Sequence, residues 1–457
     1  MMRTSADVVV LGAGIAGVAA AYHLAARHGI AQVVLVDERE PLTLTSNKGT
    51  QGYRNWWPGP DNTMLQLVSR SIDLMEESAA ECGNAFRMSR RGYLFATADR
   101  ARVTTLENTA REVSAFGMGE LRSHSTSASY EAADAEGYAD RPTGADLLTG
   151  DALREAFPYL ADDTVAALHI RRAGWLNGVA LGTRLLEQAV SAGARFVRDR
   201  VVSVDTTGGR VRGVRLASGE VIKTSQVVLA AGPGLPDAAG MLGISLPVFH
   251  ELHAKLTMRD VARAVPRNAP FLIWSDPVAI EWSEADLREL RQTEHGQRMI
   301  DGLPAGVHVR PVDLSHGDEL YLIWTYETEV RPYVWPPTFD PRYADIVTRG
   351  VARMIPAMAR YGGNGTTSVQ GVVDGGYYCK TPENRPLIGP LPVEGAFVVG
   401  ALSGSGLMAA HGSAELLAQH VAGATLPEYA RWFLPSRYDD PAYQALMTEW
   451  GPLAGQL

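Results

Sequence analysis

The sequence predicts an α/β fold with a second domain of α+β character. Residues 7–37 contain, in order, an apolar run, a glycine-rich turn, an alanine-rich helical stretch and a second apolar run. Two later apolar runs, 227–231 and 396–399, are each followed by glycine, as strands of the same parallel sheet would be. Residues 246–361 contain instead alternating strand segments and charged helices. We therefore expect a Rossmann-like βαβ domain, discontinuous in sequence, joined to a β-rich second domain.

The first βαβ unit contains the glycine pattern of a dinucleotide site. Gly12, Gly14 and Gly17 form Gly-x-Gly-x-x-Gly between a predicted strand and a predicted helix. The first glycine permits a tight turn, the second lets a pyrophosphate approach the backbone, and the third lets helix and strand pack closely. The helix N-terminus offers N–H groups and a positive dipole end to the phosphates. Asp37 ends the second strand, where an acid can hold ribose hydroxyls, so we expect a dinucleotide here.

Composition indicates a globular protein long enough for two domains. The 457 residues are 46% hydrophobic and 20% charged. A formal net charge of −9 argues against nucleic acid and anionic membrane surfaces as partners. Gly, Pro or charge breaks every apolar run, so we expect no membrane span, and Asp7 argues against a signal peptide. The two cysteines, Cys82 and Cys379, suggest neither a disulfide framework nor a metal site, which favours a cytoplasmic location.

Periodicity predicts the remaining elements. We expect helices at 64–77, 102–116, 150–157, 181–192 and 340–357, and one opened by a capping box at Ser283. We expect strands at 93–96, 251–258, 271–274 and 319–326, and a hairpin of 195–205 and 211–216 around a turn at 207–209. The polar stretch 123–142 is predicted to be a surface excursion.

These elements divide the chain into two domains and a tail. We assign residues 1–90, 150–245 and 365–425 to the dinucleotide-binding domain. Residues 91–149 and 246–364 then form the β-rich domain. Residues 426–457, which contain proline and aromatic residues, form a tail.

The loop after Asp37 is too long and too polar to be a passive connection. It carries Lys48, Arg54, Trp56 and Trp57 within a few residues of one another. Because the loop lies directly downstream of the nucleotide turn, we expect it to take part in function.

A second glycine cluster, residues 400–406, repeats the arrangement of the first. A predicted strand is followed by small residues and then by a helix that runs through His420. A helix N-terminus here would face the pyrimidine edge of an isoalloxazine and stabilise the negative charge that develops there on reduction. Two such sites require a large ligand with two polar ends, which indicates FAD rather than NAD. A plain strand-to-helix turn is the alternative.

Six motifs in this order resemble the D-amino-acid oxidase-like flavoproteins, most closely their sarcosine oxidase and dimethylglycine dehydrogenase branch. The motifs are DVVVLGAGIAGVAAAYHLA…VVLVD, RRGYLFAT, AGWLNG, VVLAAG, YYCKTPENRPLIG and VVGALSGSG. The resemblance spans residues 5–425. It implies bound FAD, oxidation of a C–N bond next to a carboxylate or similar group, and a substrate held over the flavin by the β-rich domain.

The resemblance also implies which residues contact FAD. The nucleotide fingerprint supplies Gly12, Ala13, Gly14, Ile15, Gly17, Asp37 and Glu38, and Val201 matches the position that meets the adenine. Ser46, Asn47 and Lys48 match the loop that passes under the flavin. The remaining expected contacts are Ala231, Gly232, Gly376, Gly404, Ser405, Gly406, Leu407 and Met408.

Three positions depart from the sarcosine oxidase pattern. The cysteine that tethers the flavin in that group would fall at Gly376, whereas Cys379 is three positions later. Met408 replaces the lysine that follows the final glycine loop, and the lysine associated with oxygen activation would fall in 320–324, which contains none. We therefore expect noncovalent FAD and a substrate larger than sarcosine.

Three residues are the candidates for catalysis. Arg54 is suited to a bidentate clamp on a substrate carboxylate, with a surface role as the alternative. Tyr378 matches an active-site tyrosine of the resembling group, with a core role as the alternative. Lys255, or His253 beside it, is expected to face the flavin and take part in oxygen or proton chemistry, with a solvated position on the strand as the alternative. An aromatic pocket or the core is expected for Trp56, Trp57, Trp175 and Trp324, and a packing or capping role for His411.

The sequence thus predicts an FAD-dependent enzyme that oxidises a C–N bond of an amine or N-substituted amino acid. The expected chemistry is hydride transfer to flavin N5 followed by hydrolysis of the imine. The electrons would pass to oxygen or, in a dehydrogenase, to a carrier or quinone. A flavin-binding accessory protein without turnover is the alternative outside the enzymes.

Overall fold

The computed structural model describes residues 5–134, 136–312, 317–362 and 369–450. Its strands are β1 (Val8–Leu11), β2 (Val33–Asp37), β3 (Gly52–Arg54), β4 (Tyr93–Thr97), β5 (Leu121–His124), β6 (Ala145–Thr149), β7 (Ala166–Ile170), β8 (Ala173–Trp175), β9 (Arg195–Arg198), β10 (Val201–Thr207), β11 (Arg210–Leu216), β12 (Val221–Lys223), β13 (Val227–Leu229), β14 (Phe249–Arg259), β15 (Phe271–Trp274), β16 (His308–Pro311), β17 (Glu319–Ile323), β18 (Gly371–Lys380), β19 (Leu387–Pro390) and β20 (Ala396–Gly400).

Helices cover the sheets that these strands form. They are α1 (Ile15–Tyr22), α2 (Thr63–Glu81), α3 (Arg100–Val113), α4 (Gly150–Ala156), α5 (Gly178–Ser191), α6 (Leu235–Gly240), α7 (Glu284–Leu290), α8 (Glu294–Asp301), α9 (Tyr343–Met354), α10 (Gly406–Ala422) and α11 (Pro441–Thr448). The predicted capping box at Ser283 is confirmed at the start of α7. Within the described ranges, every helix is too short or too polar to cross a lipid bilayer.

A six-stranded sheet in the order β19-β20-β13-β1-β2-β9 contains the predicted dinucleotide-binding βαβ unit. The strands from β20 to β9 run parallel, and β19 is antiparallel to β20. Val8 and Val10 pack into the core with α1, α5 and α10, whereas Val9 and Leu11 pack into the core with β10, β11 and β12. Because both faces are covered, β1 is apolar at every position. The sheet contains the strands predicted at 8–11, 33–36, 227–231 and 396–399, which confirms the α/β class.

The second sheet has nine strands in the order β18-β14-β17-β16-β15-β4-β7-β6-β5. Its longest ladder is antiparallel and pairs β14 with β18, from Phe249 opposite Lys380 to Met258 opposite Gly371. One face packs against α9 in a separate hydrophobic core that includes Leu256. This sheet is the predicted β-rich part of the molecule.

Two strands of the nine-stranded sheet come from segments that the sequence assigns to the dinucleotide-binding domain. β7 lies between β4 and β6, and β18 lies beside β14. The assigned ranges 150–245 and 365–425 are therefore each shared between the two sheets. The physical reason is that the local pattern of a strand specifies its buried face but not its partner, which long-range packing selects.

Three local predictions need correction. The hairpin consists of β10 and β11, whereas β9, predicted as part of it, joins the parallel sheet beside β2. The long loop after Asp37 contains a short strand, β3, which pairs with β8. The strand predicted at 319–326 ends at Ile323, so the residues that follow it are free to turn into the interior.

The described part of the predicted tail, residues 426–450, packs against the rest of the fold. Short 3₁₀ turns at Glu428–Phe433 and Pro435–Asp439 precede α11 and contact β19. The Arg437 side chain is fully buried and pairs with Glu383, with 2.6 Å between Nη2 and Oε1. This buried ion pair attaches the C-terminal residues to the turn between β18 and β19.

Two buried histidines connect the first and last helices of the nucleotide-binding sheet. His23 follows α1 directly, and its Nε2 lies 2.9 Å from Nδ1 of His411 in α10. Burial lowers the pKa of His411 to about 3 and holds the pKa of His23 well below its usual value. His411 is therefore a packing histidine, one of the two roles predicted for it.

We expect this pair to make the protein less stable in acid. Both histidines take up protons near pH 6.5 when the chain unfolds but remain neutral in the fold, so unfolding becomes easier as pH falls from about 6.5 towards about 3. Each histidine can lower the free energy of unfolding by up to about 1.4 kcal/mol for each unit that the pH falls. A His23→Gln/His411→Gln double variant should lose less of its free energy of unfolding than the parent between about pH 7 and about pH 5, as measured by denaturant unfolding. Equal slopes for the variant and the parent would contradict this assignment.

Candidate active site

One continuous cleft joins the two glycine turns. Its lining includes Gly12 and Gly14 from the first turn and Gly404 and Gly406 from the second. Its cavity volume is about 650 Å³, within the roughly 300–1,000 Å³ of common small-molecule sites. The carboxyl ends of β1, β13 and β20 meet here, where open parallel sheets bind their ligands. The cleft is therefore a ligand-sized space that extends from one glycine turn to the other.

The first glycine turn allows very close backbone contacts. Gly12 has a φ of +103°, and a Cβ on it would lie 2.5 Å from the carbonyl oxygen of Ala230. A Cβ on Gly17 would lie 1.8 Å from the carbonyl oxygen of Gly12, so Gly17 permits helix and strand to touch. Gly14 differs, because its Cβ would meet only Ser46 Oγ, at 3.3 Å, and the position opens on the cleft. The space beside Gly14 is therefore the place where a pyrophosphate can approach the backbone.

Asp37 and Ser46 hold the first turn in place. The Asp37 carboxylate accepts hydrogen bonds from the N–H groups of Ala13 (2.7 Å) and Arg39 (2.9 Å). Ser46 Oγ accepts one from the N–H of Ile15 at 2.9 Å. These bonds connect the end of β2 and the following loop to the N-terminus of α1.

Alanine at the second and third glycines should have different effects. We expect Gly17→Ala to prevent folding of the βαβ unit, because the added methyl meets backbone that cannot move aside. Gly14→Ala should fold, since its backbone (φ −69°, ψ 178°) suits any L-residue, but should weaken FAD binding because the methyl occupies the space of the pyrophosphate. Flavin retention and circular dichroism of the two variants separate these outcomes. A Gly14→Ala variant that binds FAD as tightly as the parent would contradict the assignment of this space.

The second glycine turn places another helix N-terminus on the same cleft. After β20, Ala401 and Ser403 adopt φ values of 55° and 53°, which cost such residues about 1–3 kcal/mol and cluster at functional sites. α10 begins at Gly406 without a side-chain cap on its first N–H groups. Leu407 and Met408 of its first turn line the cleft. The start of α10 can therefore offer its N–H groups to a negatively charged ligand.

Most of the predicted cofactor residues line this cleft. They are Gly12, Ala13, Gly14, Ile15, Asp37, Ser46, Ala231, Gly232, Gly404, Gly406, Leu407 and Met408. Their convergence is what the two-ended binding hypothesis requires, and their individual contacts with FAD remain predictions.

The other predicted cofactor residues lie outside the cleft lining. Gly17 and Ser405 lie behind the two turns, where Ser405 Oγ donates to the carbonyl of Leu402 at 2.6 Å. Gly376 packs against Thr45, and Val201 begins β10. Glu38 and Asn47 are exposed, and Lys48 Nζ lies 3.1 Å from Asp374 Oδ2.

Arg54 is buried in the cleft without a carboxylate partner among the described residues. It is 7% exposed and lies at the end of β3. Its guanidinium lies 5.3 Å above the centroid of the Tyr93 ring, and its Nε donates to the carbonyl of Trp56 at 3.4 Å. Burial lowers the pKa of Arg54, because the charged form has lost water without gaining a counterion. An anionic ligand in the cleft would compensate this charge.

His308 lies beside Arg54. Its Nδ1–H donates to the carbonyl of Gly306 at 2.8 Å, and its ring lies 5.3 Å from that of Phe271. Burial lowers the pKa of His308 to about 4, and the charges of Arg54 and His253 add to this effect. His308 is thus neutral near pH 7, and Arg54, His253 and His308 all line the cleft.

A chain of hydrogen-bonded side chains also lines the cleft. Lys380 Nζ donates to both carboxylate oxygens of Glu251 at 3.0 Å. Glu251 Oε2 lies 2.9 Å from His253 Nε2, and His253 Nδ1 lies 3.2 Å from Thr325 Oγ1. The ring of Tyr378 stacks on that of His253 with 4.0 Å between centroids. The predicted tyrosine therefore lines the cleft beside His253, which the sequence analysis considered. Glu251, Thr325 and Lys380 are the members of this group that the sequence did not single out.

Lys255 does not reach the cleft lining in the described structure. Its Nζ lies 3.4 Å from Asp374 Oδ1 and 4.4 Å from the centroid of the Tyr321 ring. Burial lowers the pKa of Lys255, and Asp374 acts in the opposite direction. Of the two residues considered on this strand, His253 is the one that lines the cleft.

The tryptophans singled out in the sequence are core residues rather than a pocket. The cleft lining does not include Trp56, Trp57, Trp175 or Trp324 in the part of the chain that the structure describes. Trp175 Nε1 donates to the carbonyl of Val312 at 3.0 Å, and Trp324 Nε1 to that of Pro304 at 2.9 Å. Aromatic lining comes instead from Tyr93, Phe95, Phe271, Trp274, Tyr326, Tyr377 and Tyr378.

A parallel α/β sheet whose glycine turn and second helix N-terminus open on one cleft is the arrangement expected of a flavin-dependent oxidoreductase. The residues present fit this cofactor, since the space at Gly14 and the uncapped N-terminus of α10 lie at two places along the same cleft. The chain belongs to the FAD dependent oxidoreductase family, whose sequence profile matches residues 7–420.

Relatives in the family are distant in sequence. Mitochondrial sarcosine dehydrogenase of Mus musculus is 22% identical over 493 residues, which cover 100% of this chain and 46% of the relative. The Homo sapiens protein is 26% identical over 265 residues, covering 55% and 25% respectively. The chain therefore spans about half the length of these curated relatives at most.

Solved structures show the same fold. L-proline dehydrogenase from P. horikoshii has a TM-score of 0.72 at 21% identity, covering 96% of this chain and 99% of that one. Iminodiacetate oxidase from Chelativorans sp. has a TM-score of 0.69 at 21% identity, covering 94% and 98%. These structures establish the architecture, while the reaction has to be argued from the cleft.

Proposed function

We propose that this protein oxidises the C–N bond next to the carboxylate of an N-substituted amino acid. The observation that carries the proposal is Arg54, a buried cation in the cleft with no carboxylate partner among the described residues. A substrate carboxylate would pair with the Arg54 guanidinium through two charge-assisted hydrogen bonds. Sarcosine, proline and iminodiacetate, which occur in the names of three relatives, each carry a secondary amine one carbon from a carboxylate. This shared chemistry supports the substrate class.

FAD would be held at both ends of the cleft and without a covalent bond. The turn at Gly14 and the carboxylate of Asp37 would hold the nucleotide half, and the start of α10 the flavin half. When bound, FAD supplies the acceptor for the hydride that leaves the substrate. Cys379 lines the cleft, but burial raises the pKa of its thiol to about 12. A thiol that stays protonated is a poor nucleophile, which supports noncovalent binding.

The side chains around Arg54 would orient the substrate and exclude water. Tyr93 stacks on Phe271 with 4.2 Å between centroids, and both line the cleft. Because His308 is neutral near pH 7, it leaves Arg54 as the attractive charge at this point for a carboxylate. Fixing the carboxylate also fixes the carbon that loses hydride, and such positioning is a large part of catalysis for a reaction of this kind.

A dehydrogenase that passes electrons to a carrier or quinone is the second candidate. Among the described lining residues the cleft contains one lysine, Lys380, and its ammonium is bound to Glu251. Lys255 is turned towards Asp374. Neither offers a free ammonium to oxygen in the cleft, which favours the dehydrogenase over the oxidase.

Anaerobic reduction of the purified protein tests the proposal. We expect a yellow protein whose visible flavin absorbance is lost with sarcosine, proline, iminodiacetate or larger N-alkyl amino acids, and persists with matched amines that lack the carboxylate. No reduction by any of these amino acids would reject the proposal, and inactivity towards all amines with an artificial acceptor would favour a non-catalytic flavoprotein. Admitting air to the reduced protein then separates an oxidase, which releases peroxide, from a dehydrogenase.

A further inference from the structure

We propose that Thr325 and His253 form a relay that takes the proton from the substrate's ammonium group, with Glu251 and Lys380 as positioning residues. The inference rests on the function proposed above, because the proton belongs to that substrate. Amino acids are ammonium ions near neutral pH. An ammonium nitrogen has no lone pair to support loss of hydride from the neighbouring carbon. A proton must therefore leave before the C–N bond can be oxidised.

The hydrogen bonds define the direction of the relay. An ionised carboxylate only accepts hydrogen bonds, so Glu251 fixes a proton on Nε2 of His253. The neutral ring then has its lone pair on Nδ1, 3.2 Å from Thr325 Oγ1. The Thr325 hydroxyl therefore donates to Nδ1, and its oxygen can accept a hydrogen bond from an ammonium group. Thr325 lines the cleft and is placed to make that contact.

One proton moves in two linked transfers. An N–H bond of the ammonium breaks as its proton passes to Thr325 Oγ1. The hydroxyl proton of Thr325 passes at the same time to Nδ1 of His253. Threonine ends unchanged, the imidazole becomes an imidazolium, and the amine becomes neutral, with no change in oxidation state. The neutral amine is then ready for the oxidation proposed above.

His253 has the surroundings of a proton acceptor. Burial lowers its pKa, so the ring is neutral and able to accept, while the hydrogen bond and charge of Glu251 act in the opposite direction. Burial also opposes ionisation of Glu251, but His253 and Lys380 hold its pKa below the usual value. The imidazolium formed by the relay would therefore face a carboxylate that is already charged. Stacking on Tyr378 fixes the plane of the ring.

Titratable groups approach His253 from every neighbouring element. Glu251 lies on the same strand, Lys380 and Tyr378 on β18, and His308 on β16. A small pocket that His253 and Thr325 also line includes Tyr326, Glu327, Asp340 and Tyr343 in its lining. Glu327 pairs with Arg331 at 2.9 Å and Asp340 with Arg342 at 3.3 Å, so these two acids are already compensated. Glu251 is then the carboxylate that governs His253.

The test compares Thr325→Val with Thr325→Ser across pH. We expect the rate constant for anaerobic flavin reduction, at saturating levels of the best substrate from the panel, to fall about 100-fold in Thr325→Val near pH 7. The deficit should disappear above the pKa of the free amine, where the substrate arrives deprotonated. Thr325→Ser keeps the hydroxyl and should restore the parent's pH dependence. A Thr325→Val profile that superimposes on the parent's would overturn the relay while leaving the proposed function intact.

A second measurement needs neither substrate nor turnover. The imidazole signal that His253→Gln removes can be assigned by NMR of histidine-labelled protein, without any substrate. We expect its pKa to fall in Glu251→Gln, because the amide stabilises the imidazolium less than the carboxylate does. An unchanged pKa would show that Glu251 does not support proton uptake and would overturn the relay. If no amino acid reduces the parent's flavin, the proposed function fails, and the relay fails with it.

Discussion

Replacing Arg54 with methionine should raise KM for carboxylated substrates by roughly 30- to 4,000-fold. Removing one partner of a buried charge pair typically costs about 2–5 kcal/mol, which corresponds to that range in binding. The effect should be confined to substrates with a carboxylate, since an amine without one has no contact to lose. Stopped-flow reduction of the flavin with matched amine pairs measures it directly.

The stability of the Arg54→Met variant should not fall, although its affinity for the substrate does. Arg54 carries a buried charge without a carboxylate partner among the described residues, so a methionine of similar length removes an uncompensated charge from the interior. Thermal unfolding should therefore occur at the same or a higher temperature. Arg172 provides the control, because its Nη2 is paired with Asp73 at 2.6 Å and Glu76 at 2.7 Å outside the cleft. Arg172→Met should lower stability and leave KM unchanged.

A different outcome for Arg54 would assign it to the structure. If Arg54→Met unfolds at a lower temperature while KM is unchanged, its contacts with Tyr93 and the Trp56 carbonyl are its role. Arg54→Lys distinguishes charge from geometry, since lysine keeps the charge but cannot bind a carboxylate with two parallel hydrogen bonds. We expect Arg54→Lys to recover only part of the loss in KM.

The geometry of the first glycine turn was predictable because its signals are local. Gly12, Gly14 and Gly17 and the strands around them lie within one βαβ unit, and a turn followed by a helix has few alternative arrangements. The second glycine turn was predictable for the same reason, as strand, turn and helix are continuous in the chain. That β1, β13 and β20 end at one edge follows from parallel pairing once all three are accepted as strands of one sheet.

The substrate half was only partly predictable because it is assembled across strands. Glu251 and His253 belong to β14, Lys380 to β18, Thr325 follows β17 and His308 begins β16. Their convergence depends on strand order and register, which no local pattern specifies. Alternation in β14 was the one available signal, since it places Glu251 on the same face as His253. The sequence could suggest Arg54 and Tyr378 from chemistry and resemblance, but could not show that both line one cleft.

The C-terminal residues illustrate the same limit and lead to the second large effect. A proline- and aromatic-containing tail looks like an appendage, yet Arg437 and Glu383 meet in the interior with fully buried side chains. The Glu383 carboxylate also accepts hydrogen bonds from the hydroxyls of Tyr443 (2.7 Å) and Tyr438 (2.9 Å). Burial opposes its ionisation, but Arg437 and Tyr443 hold the pKa of Glu383 below the usual value.

Glu383→Ala should therefore destabilise the protein by about 3–5 kcal/mol, because it leaves the Arg437 guanidinium buried and unpaired. The loss should be largest near neutral pH, where Glu383 is ionised in the fold, and should shrink as pH falls through its lowered pKa. A Glu383→Leu/Arg437→Leu double variant removes both charges and should recover much of the stability. Denaturant unfolding of the three proteins measures these differences.

Glu383→Ala should also weaken retention of FAD. Glu383 is followed by Asn384, which has a φ of 63° and lines the cleft, and Lys380 lies three residues before it. Because the ion pair holds this turn, Glu383→Ala should loosen both lining residues and speed FAD release, whereas the double leucine variant should retain FAD better. If Glu383→Ala matched the parent in both unfolding and FAD release, the tail would be an appendage after all, and the ion pair would have no part in shaping the cleft.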